Sequence, residues 1–491
     1  MGAKEINDRL RAVLSEDGLS TDPDILTLYR VANPIVRDRV GPSRVARPRD
    51  VTELQNLVRL ANEQGLHLVP VSSQGPHGKG GTACAEEHIA LDLSSWKKIL
   101  RTDRRNRVCM IEPGVTYGEL LDALEPLGMT VPMPLAPRSG KSVAAAVMDR
   151  EPSTWPNRQW DISDPVGSTE FIFGTGDIFR TGAAGGPGSL EKQRVAGGAQ
   201  KSPMGPSQTD FQRVVQGSQG SLGIVTWLTV RTELRPSVEG PCLIGSDELE
   251  KLIPFIYGVQ RPWLGEHSFI LDRNAATLLM THNAPDSFEA VTASLPAFIC
   301  LQNIAGFERL PRERVAYQLK DIEEIAARNG LALSSSLGSV LAPELLKAAT
   351  RPCGPRDFRH ALRGHCLSIF FLSTLDQSPR FLGAIGEVAG RHQIERNRIG
   401  IYLQPVVQNH ACHIEFMVPF DPENRGEVEL MRRFEADAVH ELFDEGAFFS
   451  RPYGAAGKLA FVRNQLNNAV LKKIKDIFDP NRVLNPGKFG L

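Results

Sequence analysis

The chain has little of what marks several large classes of protein. It has no excess of charge: 56 Lys and Arg stand against 57 Asp and Glu, a net of −1 over 491 residues. A nucleic-acid partner favours a basic surplus, so none is expected. The seven cysteines (Cys84, Cys109, Cys242, Cys300, Cys353, Cys366 and Cys412) are scattered and include no Cys-x-x-Cys pair. That excludes a disulfide framework and an iron–sulfur spacing, and points to reduced thiols in a cytoplasmic protein. No apolar run approaches the ~20 residues of a membrane helix. Residues 1–10 lack the apolar stretch of a signal peptide, and no internal repeat of fixed period is visible. What remains is 41% hydrophobic and 23% charged, enough apolar material for two or three sizeable cores.

The first half alternates strand and helix signals. Asp50-Val51-Thr52-Glu53 reads as a capping box, followed by Leu54, Leu57, Val58 and Ala61 at helical spacing and a closing Gly65. Strands are expected at His67–Val71, His88–Leu93, Val108–Glu112 and Ile224–Val230. Thr116-Tyr117-Gly118-Glu119 is a second capping box, and Gly174-Thr175-Gly176-Asp177 signals a hairpin. Residues 182–207, rich in Gly, Pro, Ser and Gln, read as a long loop of the functional or mobile kind. Beyond Arg235-Pro236-Ser237 the rhythm changes to an α+β unit: strands at Ser268–Leu271, Ala297–Leu301, Cys366–Phe371, Ile399–Leu403 and Cys412–Val418, with helices at Arg314–Arg328 and Gly426–Phe443.

Between Val69 and Gly81 the chain runs Val-Pro-Val-Ser-Ser-Gln-Gly-Pro-His-Gly-Lys-Gly-Gly. Such a loop lets several backbone N–H groups converge on a pyrophosphate. A strand follows it rather than a helix, which excludes the Rossmann and P-loop arrangements. Gly140-Lys141-Ser142 imitates the end of a Walker motif, but the first glycine of that motif is Leu135 here.

Pro70-Val71-Ser72, the glycine loop, Leu91-Asp92-Leu93, Glu112-Pro113-Gly114-Val115-Thr116-Tyr117, Gly217–Thr226 and the closing Asp479–Lys488 occur in one order along the chain. Together they resemble a PCMH-type FAD-binding domain, and within that superfamily the 4-phenol oxidising family of vanillyl-alcohol oxidase and p-cresol methylhydroxylase. The resemblance implies a PCMH-type FAD domain over 1–236, an α+β cap or substrate domain over 237–450, and a segment 451–491 returning to the FAD domain. It implies FAD contacts from Ser72, Gln74, Gly75, Pro76, His77, Gly78, Ser142, Gly223, Ile224 and Val225. It implies an FAD-linked oxidase or dehydrogenase that removes hydride from a 4-substituted phenolic or related aromatic substrate.

In that family two tyrosines and an arginine hold the substrate as phenolate. Tyr117 matches the first tyrosine and Arg451 the arginine; Ser450 replaces the second tyrosine, and Tyr453 stands two residues beyond the arginine. The position of the family's acid is Gln159, with Glu151 and Asp161 as unmatched carboxylates nearby. His413 is the survivor of a histidine pair; it shares a strand face with Glu415, and His410 points away, so no metal site is expected. Ser368 at the covalent-tether position implies non-covalent FAD, with His365 or His77 as the positions for a covalent link. Two other readings stay open: a 2-hydroxy-acid dehydrogenase with Arg451 on the carboxylate, and an FAD-binding electron-transfer subunit of a larger complex. An electron-acceptor protein and a homo-oligomer are the possible partners.

Overall fold

The computed structural model of the protein describes residues 2–36, 40–78, 82, 84–157, 164–185, 189, 191–192, 195, 211–406 and 410–488. The N-terminal sheet takes its strands from β1 (Leu19–Ser20), β2 (Arg44–Ala46), β3 (Leu68–Val71) and β4 (Ile89–Asp92), in the order β1-β2-β4-β3. β4 is parallel to both β2 and β3. The connection that makes this possible is α1 (Val51–Gln64). The Asp50 side chain accepts from Glu53 N at its start, and Gly65 at φ +63° closes it. The box is reciprocal with one change from expectation: Glu53 accepts from the N–H of Arg49, not of Asp50. Leu54, Leu57, Val58 and Ala61 are fully buried on one face, each larger side chain contributing roughly 1.5–3 kcal/mol.

A second sheet is antiparallel throughout, in the order β5-β6-β9-β7-β8: β5 (Ile99–Asp103), β6 (Val108–Ile111), β7 (Val166–Ile172), β8 (Ile178–Arg180) and β9 (Ile224–Arg231). Its helix α2 (Tyr117–Leu124) opens on the full capping box of Thr116 and Glu119. Gly114, in the motif before it, has a packing reason: a Cβ there would lie 2.6–2.7 Å from the carbonyl oxygens of Ser94, Leu93 and Trp96. Helix α3 (Val143–Met148) is capped by Ser142.

The third sheet has six antiparallel strands, ordered β10-β12-β11-β14-β15-β13: β10 (Val238–Ser246), β11 (His267–Asp272), β12 (Phe298–Gly306), β13 (His365–Ser373), β14 (Gly400–Val406) and β15 (Ala411–Phe420). Alternation sorts its faces. Ile369, Phe371, Cys412, Ile414 and Phe416 pack into a large core with helices α4 (Leu249–Gln260), α5 (Pro311–Arg328), α6 (Ser378–Arg391) and α7 (Arg425–Asp444). The opposite face carries Ser368 and Phe370 of β13, Tyr402 of β14, and His413 and Glu415 of β15, all of which line one cavity. Two last helices, α8 (Gly454–Arg463) and α9 (Gln465–Phe478), lead back to the N-terminal sheet, where Leu68 N and Asn485 N exchange hydrogen bonds with Val483 O and Leu68 O.

Candidate active site

The cavity of about 1610 Å³ is larger than a drug-sized pocket and has room for a dinucleotide with a substrate beside it. Nine Lys or Arg and five Asp or Glu line it, a surplus of four positive charges that suits a pyrophosphate. At one end lies the glycine loop after β3. Ser72, Pro76, His77 and Gly78 reach the cavity wall. Gln74 and Gly75 do not line it; their carbonyls accept from the Arg138 guanidinium. The Ser72 hydroxyl is 2.9 Å from that of Ser142, which is fully buried and caps α3 through Ala145 N at 3.0 Å. Gly223 precedes β9, which Ile224 and Val225 begin beside Ile172 and Phe171; Ile224 is core, and none of the three lines the cavity. Residues 79–81 lie outside the described residues.

The other end of the cavity is built from the six-stranded sheet and the start of the C-terminal segment. Arg451 is buried, with its guanidinium carbon 4.2 Å from the centre of the Phe370 ring. Its Nη1 lies 3.7 Å from Asp149 Oδ2 and 3.8 Å from Glu151 Oε1, and makes no hydrogen bond. Lys141 Nζ sits 2.8 Å from the other Glu151 oxygen. The Tyr453 hydroxyl donates to Asp149 Oδ1 at 2.8 Å. Two cations and two carboxylates thus form a balanced cluster under an aromatic wall of Phe370, Tyr453, Tyr402 and His413. Arg451 is therefore a buried cation and not half of a surface ion pair.

Next to this cluster, Arg359 grips Glu415 with two bonds, Nε to Oε1 at 2.9 Å and Nη2 to Oε2 at 3.0 Å. His413 Nε2 is 3.7 Å from Glu415 Oε2. Burial pushes His413 down to about 4, and the nearby Arg451 and Arg359 charges add to this against the Glu415 bond. The ring is therefore neutral at pH 7. Burial would raise Glu415, but the Arg359 charge and the His413 and Arg359 bonds hold it below the usual carboxylate range.

The expected site residues divide. Arg451, His413 and Tyr453 are brought together. Tyr117 is 1% exposed in the apolar cluster with Val115, Leu120 and Leu121 and does not line the cavity. Burial, and then the charge of Glu151, raise its hydroxyl well above the ordinary tyrosine value. Gln159 and Asp161 lie outside the described residues. Both tether candidates reach the cavity. His365 Nε2 is 3.1 Å from Ala32 O, its ring stacked on His360 at 4.3 Å, and His77 stacks on Tyr29 at 5.8 Å. Sequence reasoning missed Arg359, Arg138 and Tyr402, because isolated residues in a short turn, a loop and a strand carry no spacing signal. It also missed His267, which accepts from Trp155 Nε1 at 2.7 Å through Nε2. Its Nδ1 therefore carries the proton and donates to Thr154 Oγ1 at 3.0 Å, pinning the segment after Glu151 to β11.

Buried neutral histidines carry a pH dependence. Burial lowers His267 to about 3 and His413, His77 and His365 to about 4, from an ordinary 6.5. Between those values the unfolded chain binds more protons than the folded one. Their contribution is complete above pH 6.5 and is lost as pH falls towards 4. The unfolding midpoint is expected to drop steadily between pH about 7 and about 4.5; a flat midpoint over that window would contradict the burial of these rings.

Residues 42–182 match the FAD binding domain family FAD_binding_4. Among curated proteins, the mitochondrial D-lactate dehydrogenase [cytochrome] of Arabidopsis thaliana is 23% identical over 99% of this chain and 80% of its own. The D-2-hydroxyglutarate dehydrogenase of Stutzerimonas stutzeri is 22% identical over 98% of both. The 4-cresol dehydrogenase [hydroxylating] flavoprotein subunit of Pseudomonas putida is 27% identical over 37% of this chain and 35% of its own. Among solved structures, p-cresol methylhydroxylase with substrate bound has a TM-score of 0.82 at 18% identity, covering 99% of this chain and 96% of that one. The 4-ethylphenol oxidase of Gulosibacter chungangensis also has 0.82, at 17% identity, covering 100% and 98%. The fold is that of these two structures, α+β with a PCMH-type FAD-binding domain. The chain is an FAD-dependent oxidoreductase.

Proposed function

We propose that the enzyme removes hydride from the carbon attached at the 4-position of a phenol. The observation that carries this is Arg451, a buried cation whose Nη1 lacks a hydrogen-bond partner at an aromatic wall. Nη1 takes the substrate oxygen while Phe370 and Tyr402 lie against its ring. The balanced cluster favours a substrate that arrives neutral: a phenol ionises near pH ~10 in water, and a carboxylate would bring a permanent charge beside Asp149 and Glu151. As the hydride leaves, the substrate O–H proton passes to Tyr453, whose own proton passes to Asp149. The quinone methide that results adds water, with neutral His413 as the base. Bound FAD supplies the hydride acceptor. Ser72, His77, Gly78 and Arg138 would hold it, without a covalent link, because Ser368 stands where the tether would be.

In this reading residues 1–236 bind FAD, 237–450 form the cap and 451–491 return to the FAD domain. An electron-accepting partner subunit is part of it, as the name of the Pseudomonas putida relative suggests. A second reading, a 2-hydroxy-acid dehydrogenase, is favoured by the two relatives matched over their length. Arg451 would then hold the carboxylate and His413 would take the hydroxyl proton. Phenols without a 4-alkyl group bind but cannot react, so they separate the two. On the phenol reading they perturb the absorption of the oxidised flavin saturably and oxalate does not; the reverse pattern rejects it.

A further inference from the structure

α9 has two apolar faces. Leu471, Ile474 and Phe478 turn inward with Lys475, which is fully buried. Leu466, Val470 and Ile477 form a separate stripe at i, i+4 and i+11, with exposures of 86%, 54% and 68%. Val462, near the end of α8, is 68% exposed and also lines the cavity, so the cavity reaches the surface beside it. Fold stability gives no reason for that outer face.

The charge carried by the two helices is mainly positive, and Arg463 at the end of α8 is paired with Asp444. Lys458, Lys472 and Lys473 are exposed on α8 and α9, the first two at the cavity lining and Lys473 away from it, whereas the single acid of the two helices, Asp476, is taken by Arg482. A second copy of the same face would set lysine against lysine. Protein interfaces favour aromatic residues and arginine at their centres and are depleted of lysine. Aliphatic side chains with lysine flanks are instead the pattern of a helix lying on an anionic lipid surface.

We propose that α8 and α9 dock the protein on anionic membranes, with Leu466, Val470 and Ile477 entering the acyl boundary and Lys473 among the headgroups. The cavity entrance at Val462 then borders the lipid. The test is co-sedimentation of FAD-loaded protein with phosphatidylcholine vesicles, with or without about 30% phosphatidylglycerol. Binding is expected only to the anionic vesicles, weakening in about 0.5 M salt, and at least about tenfold weaker for the Leu466→Ser/Val470→Ser variant. Flavin content and circular dichroism check that the variant is folded; should it not fold, Lys473→Glu is expected to weaken binding alone. No binding to anionic vesicles, or equal binding by every variant, overturns the proposal. So does a lipid-free dimer that the double variant converts to monomer, which would assign the stripe to a second copy.

Discussion

Replacing Arg451 by lysine is expected to slow phenol-dependent flavin reduction by about ten- to over a hundredfold while FAD stays bound. Lysine keeps the positive charge between Asp149 and Glu151, so the variant does not strand two half-buried carboxylates. What it loses is the planar fork and the stacking on Phe370. A hydrogen bond to a charged group is worth roughly 1.5–3 kcal/mol, and each 1.36 kcal/mol of barrier is about tenfold in rate. Rapid-mixing reduction of the variant checks this. A wild-type rate with every phenol that reduces the parent would remove Arg451 from the site.

Lys475→Met is expected to lower stability by about 3–5 kcal/mol, because it leaves Asp479 buried without its cation. Lys475 spends all three donors inside the protein, on Ser221 O, Asp479 Oδ2 and Leu484 O. Asp479 in turn accepts from Val483 N and Leu484 N at 2.8 Å each. The pair therefore ties the closing segment to the Gly217–Ile224 loop ahead of β9. Denaturant unfolding of the variant should show the lower midpoint, and the double variant Lys475→Met/Asp479→Asn should recover part of the loss. An unchanged midpoint for the single variant would mean that the ion pair is replaceable.

The readable parts of the fold were those with a periodic or capping signature. α1 and α2 begin on their capping boxes, and the 2-residue alternation of β15 puts His413 and Glu415 on one face. β10 was not legible: Val-Glu-Gly-Pro-Cys-Leu-Ile-Gly-Ser carries turn residues inside a strand. Their reason is close packing, since a Cβ at Gly240 would lie 2.6 Å from Val315 of α5 and one at Gly245 2.8 Å from Pro296. The site was legible only where a motif fixed a position. Arg451 was found that way, but the same approach placed Tyr117 at the substrate, and the capping box that gives it its motif turns the ring into the apolar cluster. The Arg359–Glu415 clamp joins residues 56 apart, a pairing that only the fold creates.

The central claim is that the cavity under Arg451 oxidises a phenol through bound FAD. Anaerobic mixing of the FAD-loaded protein with 4-ethylphenol, followed at the oxidised-flavin absorption band, tests it most directly. The account predicts bleaching that saturates with 4-ethylphenol, with little or none from D-lactate or D-2-hydroxyglutarate. Bleaching by a D-2-hydroxy acid with none by any 4-alkylphenol would contradict it.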